Sequence, residues 1–143
     1  MLSMKNSVGN AEPTITATPS IKIDAKLRSE ILAQVEEEGM VIVHCAFSTD
    51  IDMCVRIWKT TFLIDRVSGS KSPLMNAFNI TYAPVWELVE AGTTKRFTLI
   101  FSSLPKSCEV FDLIEEVPDS FGFEIFDIKR NSTDVYNVNV SDA

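Results

Sequence analysis

The chain has 143 residues, 45% of them hydrophobic and 23% charged, which suits one globular domain and excludes a disordered or fibrous protein. Its formal net charge is −7, and residues 109–143 carry all of it, with nine acidic and two basic side chains. Such a surface repels phosphate backbones and anionic lipids, and no apolar run approaches the roughly 18 residues that span a bilayer. We therefore expect neither nucleic acid nor a membrane as a partner.

The first 20 residues are rich in Ser, Thr and Pro and have no sustained apolar period. They predict a flexible tail, residues 1–20, before a single domain over residues 21–143. This start also lacks the basic and apolar regions of a signal peptide, so the cytoplasm is the expected compartment unless a leader has been removed. The three cysteines, which have no metal-like spacing, are expected to be reduced and buried (Cys45, Cys54, Cys108).

The segment 24–38 has the pattern of an amphipathic helix. Asp24 is a suitable N-terminal cap, and Gly39 is a suitable stop after three glutamates. Between them, four apolar residues fall on one helical face (Leu27, Ile31, Leu32, Val35). This helix is expected to pack on the sheet of its own chain or across a symmetric interface in a homo-oligomer.

From Met40 onward the sequence favours short strands separated by turn residues. Residues 54–65 predict one long strand, with Arg56, Trp58, Thr60 and Phe62 on the same side. The turn Ser68-Gly69-Ser70 predicts a hairpin. In all, about seven strands are predicted, over residues 40–47, 54–65, 74–80, 96–101, 110–117, 123–128 and 135–140. Turn signals every 8 to 15 residues are typical of a β-sandwich or barrel.

His44 is the only histidine, so any histidine-dependent chemistry must use it. It precedes Cys45 in a predicted strand, where neighbouring side chains point to opposite faces, which disfavours a Cys–His nucleophilic pair. The acids in residues 112–116 are predicted to lie on the wet face of a strand and lack the spacing of a calcium loop. No catalytic set, metal site or cofactor is therefore predicted. A small enzyme or metal-dependent protein using His44 with nearby carboxylates or thiols is kept as the alternative.

Aromatic residues are the remaining candidates for binding. Trp86 lies in a less regular region after a predicted strand, and other aromatic residues lie in or near turns (Phe78, Tyr82, Phe121). Large aromatic side chains dominate interfaces as well as cores. These four residues are the predicted binding residues, and a lid over one end of the domain is the competing interpretation.

The stretch 60–116 resembles a known kind of domain. Its elements are residues 61–65 followed by Gly69, then 91–92, 97–101, 104–106 and 111–115. This pattern is similar to the immunoglobulin-like, telokin-like domains of bacterial surface lipoproteins, whose function is unassigned. The resemblance implies an immunoglobulin-like β-sandwich of about seven strands, here with one N-terminal helix, and it implies no chemical site.

Together these features predict a mainly β domain of uncharacterised activity. The expected function is a non-catalytic protein-interaction module that binds an unidentified protein through a sheet edge or the Trp86 region. A homo-oligomer is the further expectation for its assembly.

Overall fold

The structure, a computed structural model, describes residues 3–6, 39–118 and 122–140. These residues form a mainly β fold of ten strands: β1 (Ser3–Asn6), β2 (Val41–Ser48), β3 (Met53–Arg56), β4 (Thr61–Asp65), β5 (Lys71–Phe78), β6 (Glu87–Val89), β7 (Thr94–Phe101), β8 (Val110–Glu115), β9 (Glu124–Lys129) and β10 (Val135–Asn139). The described ranges contain no α-helix, and so none that is long and apolar enough to cross a bilayer.

The predicted N-terminal elements fall largely outside these ranges. Residues 3–6 of the predicted tail form β1, which pairs antiparallel with β3. The predicted helix 24–38 and the predicted binding residue Phe121 lie outside the described residues.

The ten strands form two sheets. The smaller sheet has the order β1-β3-β6, and the larger has the order β10-β2-β7-β5-β4-β8-β9. All pairs are antiparallel except β10 and β2, which run parallel. In the larger sheet β5 pairs with β4 through its first residues and with β7 through its later ones, and the register shifts between Leu74 and Asn76. Such an irregularity bends a strand and increases its twist.

The larger sheet curls into an open half-barrel. Phe111 of β8 and Tyr136 of β10 come from strands near opposite edges of the sheet, yet their ring centroids are 5.0 Å apart in an edge-to-face contact. One cluster of buried side chains fills the concave space and includes Val43, Leu99 and Leu113. Val55 of the smaller sheet belongs to the same cluster, so both sheets share one core.

Several strand predictions are confirmed, and two are wrong in detail. The hairpin at Gly69 joins β4 to β5, and the predicted strand 96–101 lies within β7. The predicted strand 54–65 is instead two strands, because the Thr61 amide donates a hydrogen bond to the Trp58 carbonyl (3.1 Å) and closes a turn. The short strand β6 lies in a region that was predicted to be irregular. Together with β1 and the division of the segment 54–65, it brings the total in the described ranges to ten strands instead of about seven.

The prediction that the acids of β8 face water is also wrong. Both faces of this strand are covered, and the Asp112 and Glu115 side chains are buried. Backbone amides compensate for the burial: Asp127 donates to the Asp112 Oδ1 atom (2.9 Å), and Trp58 donates to the Glu115 Oε2 atom (3.2 Å). These carboxylates therefore serve the fold by accepting amide hydrogen bonds.

Candidate functional site

The connection between β5 and β6, residues 79–86, is an irregular loop that closes on itself. The Val85 amide donates to the Tyr82 carbonyl (3.0 Å), around a cis peptide bond between Ala83 and Pro84. The Thr81 hydroxyl donates to the Val85 carbonyl (2.8 Å). These local bonds define the conformation of a loop that carries two of the predicted binding residues, Tyr82 and Trp86.

The loop is attached to the end of β3. Ile57 forms a parallel bridge with Tyr82, in which the Ile57 amide donates to the Thr81 carbonyl (2.8 Å) and the Ala83 amide donates to the Ile57 carbonyl (2.9 Å). Ile57 itself is fully buried in the core. The loop is thereby placed beside the side chains that flank Ile57.

An arginine and two tryptophans form the centre of the site. The Arg56 guanidinium carbon lies 3.8 Å from the centroid of the Trp86 ring and 5.2 Å from that of Trp58. Its Nη1 atom also donates to the Pro84 carbonyl (3.0 Å). Interactions between cations and aromatic faces of this kind are attractive, and Arg is the cation most often found in them. We call Arg56, Trp58 and Trp86 the tryptophan–arginine cluster.

A second cation lies over an aromatic ring of the same loop. The Lys59 ammonium is 5.1 Å from the centroid of the Tyr82 ring. Tyr82 is partly buried against the main core, and this burial raises the pKa of its phenol. The predicted residues Tyr82 and Trp86 thus each have a basic partner: Arg56, at the end of β3, for Trp86, and Lys59, just after β3, for Tyr82.

Polar groups beneath the loop anchor it to both sheets. Glu87 of β6 accepts from the Thr81 amide through Oε1 (3.1 Å) and pairs with the Lys95 ammonium of β7 through Oε2 (2.5 Å). The side chains of Glu87 and Lys95 are only 7% and 11% exposed. This buried ion pair joins the smaller sheet to the larger one directly under the site.

Two donors of the cluster have no acceptor among the described residues. They are the Arg56 Nε and Trp58 Nε1 atoms, both of which are buried. Buried polar groups are nearly always hydrogen-bonded, which makes these two donors exceptions among the buried side-chain atoms of the described residues. Next to them, Val85 exposes 56% of its surface. The end of β3 and the loop 79–86 therefore bring two tryptophan rings, an arginine and an exposed apolar residue together.

Phe78, the third predicted binding residue within the described ranges, lies elsewhere. It packs in a separate cluster with Ile42 and Ile100, on the face of the larger sheet that points away from the main core. The structure therefore does not bring Phe78 together with Trp86. Neighbouring residues of a strand point to opposite faces, and Ala77 packs against the main core. This alternation is the sequence signal that Phe78 points away from that core.

Sequence reasoning missed Arg56, although the signal was present. Arg56 and Trp58 were predicted to share one side of a strand, and both do contribute to the cluster. The local pattern could not show that the ring of Trp86, 30 positions further along the chain, lies against the Arg56 guanidinium. That contact depends on the pairing of β3 with β6.

The alternative candidate site is the one around His44. His44 is exposed on the outer face of β2, and its Nδ1 atom lies 2.8 Å from the Thr98 hydroxyl. All three cysteines are free and buried, as predicted, and burial raises the pKa of the neighbouring Cys45 thiol. Within residues 39–118 and 122–140, no group of three or more His, Cys, Asp or Glu side chains could hold a metal ion.

Comparison with known proteins gives no relative for this chain. No protein-family model, no curated protein and no solved structure matches it.

Proposed function

We propose that this chain is a non-catalytic protein-interaction module that binds a protein partner through the loop 79–86 and the tryptophan–arginine cluster. The observation that carries the proposal is the placement of the Arg56 guanidinium over the rings of Trp58 and Trp86, beside the exposed Val85. Trp, Tyr and Arg are the residues most enriched among those that dominate binding energy. A rigid group of them next to an exposed apolar side chain suits an interface centre.

The charges at this surface indicate the chemistry of the partner. Arg56 and Lys59 are basic side chains in a chain of net charge −7. A partner with an apolar patch bordered by carboxylates would complement these two side chains. Because the chain as a whole is acidic, such a partner would be repelled less at this surface than at surfaces without basic side chains. We therefore propose an acidic protein surface as the ligand.

For the fold and assembly, we propose the immunoglobulin-like sandwich and the N-terminal helix over residues 24–38. The shared core of the two sheets and the apolar stripe of residues 24–38 support this finer description. We also propose that the chain is related to the telokin-like domains of bacterial proteins and that it is located in the cytoplasm. A homo-oligomer is the alternative use of the apolar stripe.

The function is tested by affinity capture from the native host with the full chain as bait. Val85→Asp places a charge on the exposed loop without removing a buried contact, and Trp86→Ala removes part of the cluster. Val67→Asp is the matched control, because Val67 is 93% exposed in the turn between β4 and β5. We expect one protein to be retained by the unmodified chain and by Val67→Asp and to be lost with both loop variants. Equal retention by all folded variants would contradict the proposal.

A further inference from the structure

Four neighbouring strands of the larger sheet present an apolar convex face. In the order β5-β4-β8-β9, one residue of each strand packs in or against the main core: Leu74, Leu63, Leu113 and Ile125. The residues on either side of these four point to the convex side of the sheet. The apolar ones among them form what we call the convex patch: Phe62, Ile64, Pro73, Met75, Ile114 and Phe126.

The convex patch is continuous and partly open to water. Phe62 pairs in register with Pro73 on one side and with Ile114 on the other. Phe62 and Ile114 are only half-buried, while Met75 is 54% exposed and Phe126 is 55% exposed. The solvated face of an antiparallel sheet is normally polar, and a contiguous exposed apolar patch marks an interaction site. This face is therefore a candidate contact surface.

Opposite charges border the patch at its two edges. Lys71 of β5 is exposed, and its ammonium lies 4.5 Å from the centroid of the Phe62 ring. Glu124 of β9 is also exposed and pairs in register with Ile114. Among the described residues, neither Lys71 nor Glu124 forms an ion pair, whereas three further charges beside the patch pair with one another: Arg66, Asp112 and Asp127. The patch is thus basic at the β5 edge and acidic at the β9 edge.

We infer that a second copy of the chain packs on the convex patch and forms a homodimer about a two-fold axis parallel to the strands. Such an axis lays β5 of one copy over β9 of the other, because β4 and β8 lie between them in the sheet. Lys71 of each copy then faces Glu124 of the other, so the same ion pair forms twice around an apolar centre. A partner of one sign of charge would be repelled at one edge, whereas a second copy matches both.

The size and charge of this surface set the strength of the dimer. Four strands about 5 Å apart give a narrow face, which is smaller than the roughly 800 Å² per partner of a typical stable interface. The net charge of −7 also makes two copies repel each other at long range. We therefore expect a weak dimer, with a dissociation constant of about 0.1 mM.

This inference is independent of the proposed function, since the convex patch and the tryptophan–arginine cluster share no residue. It also gives a homo-oligomer a contact surface made of described strands.

Sedimentation equilibrium of the full chain, from about 0.01 to 1 mM, measures the dimer, and a charge swap tests its geometry. Lys71→Glu and Glu124→Lys should each weaken the dimer by about tenfold, because two ion pairs become two repulsive pairs. The double variant should restore the original dissociation constant. Lys106→Glu, at an exposed position before β8, changes the net charge as Lys71→Glu does and should leave the dimer within about threefold.

A second pair of variants tests the apolar centre. Met75→Asp should abolish the dimer, whereas Val67→Asp, which adds the same charge at a 93% exposed position of the turn after β4, should retain it. An unmodified chain that stays monomeric at about 1 mM would overturn the inference. So would a double charge swap that fails to restore the dimer, or equal dimerisation of the Met75 and Val67 variants.

Discussion

Arg56 is the residue on which the candidate site depends. Its guanidinium lies over two indole rings and donates to a loop carbonyl, so its planar shape is used as well as its charge. Lysine keeps the charge but loses the stacking. The first prediction therefore concerns this substitution.

Arg56→Lys should lower the free energy of unfolding by about 1 kcal/mol and change the tryptophan fluorescence of the folded protein. Urea titration followed by fluorescence measures both effects. Arg96→Lys, at an exposed position of β7, is the control and should stay within about 0.5 kcal/mol of the unmodified chain. Equal behaviour of the two variants would show that the stacking contributes nothing to the fold.

The buried ion pair beneath the loop makes a second, larger prediction. Lys95→Met would leave the Glu87 carboxylate buried without its cation, which should cost about 3 kcal/mol of unfolding free energy. Lys129→Met, at an exposed position of the edge strand β9, should cost less than about 0.5 kcal/mol. A loss below 1 kcal/mol for Lys95→Met, by denaturant titration, would mean that Glu87 is rehydrated instead of left buried.

Tyr136 predicts how stability responds to alkaline pH. Burial raises the pKa of its phenol to about 12, and the hydroxyl donates to Asp134 (2.9 Å) and accepts from the Asn131 amide (3.0 Å). The folded protein therefore holds the phenolic proton more tightly than the unfolded chain, whose tyrosine pKa is about 10. The stability from this group is complete below about pH 10 and is lost as pH rises from about 10 to 12. Tyr136→Phe should reduce the slope of unfolding free energy against pH in that window, and an unchanged slope would contradict this account.

At the scale of elements, the link between β8 and β9 is the most sterically demanding. A Cβ atom at Gly122 would lie 1.8 Å from the Glu115 carbonyl oxygen, which belongs to the backbone of β8. The neighbouring Phe123 carbonyl accepts from the Glu115 amide (2.8 Å), so neither strand can move away cheaply.

Gly122→Ala should therefore destabilise the protein by about 3 kcal/mol or more. Gly92→Ala is its matched control: Gly92 has φ of +80° but nothing within 4 Å of the added methyl, so only the conformational cost of about 1 kcal/mol applies. Thermal unfolding of the two variants gives the comparison. A Gly122 variant as stable as the Gly92 variant would show that the two strands separate easily at this point.

The elements also show which features a sequence can reveal. The alternation of Phe97, Leu99 and Phe101 identified β7, and Gly69 identified the turn after β4, because both signals are local. The break at Trp58 could not be found in this way, since Lys59 and Thr60 carry no turn signature. The burial of Glu115 also escaped prediction, because its amide partners come from residues 58 and 123.

For the site, sequence reasoning gave the aromatic residues without their arrangement. Trp86 and Tyr82 were identified by type and by their irregular surroundings, whereas Phe78 was grouped with them only through closeness in sequence. The period of two along β5 and the curl of the sheet place Phe78 on the other face. The partners of Trp86 depend on the pairing of distant strands, which local patterns do not encode.

At the scale of the whole molecule, hydrogen bonds and one shared core connect the distant parts of the half-barrel. The two edge strands of the larger sheet, β9 and β10, are consecutive in the chain. In the loop between them, Arg130 pairs with Asp134 and donates to the carbonyls of Pro105 and Cys108, which lie before β8. The smaller sheet contributes Val55 and Val89 to the same core and carries the loop 79–86 through β3. The loop 79–86 is thus attached to the shared core through Ile57 and the smaller sheet.

The most direct test of the proposed interaction is photo-crosslinking in the native host from a photoreactive amino acid placed at position 85, with position 67 as the control. Both side chains are exposed, so the two probes should report only on which surface meets a partner. The account predicts that one protein is crosslinked from position 85 and not from position 67. The absence of any specific product from position 85, or the same products from both positions, would contradict the proposal that this loop is a protein-binding surface.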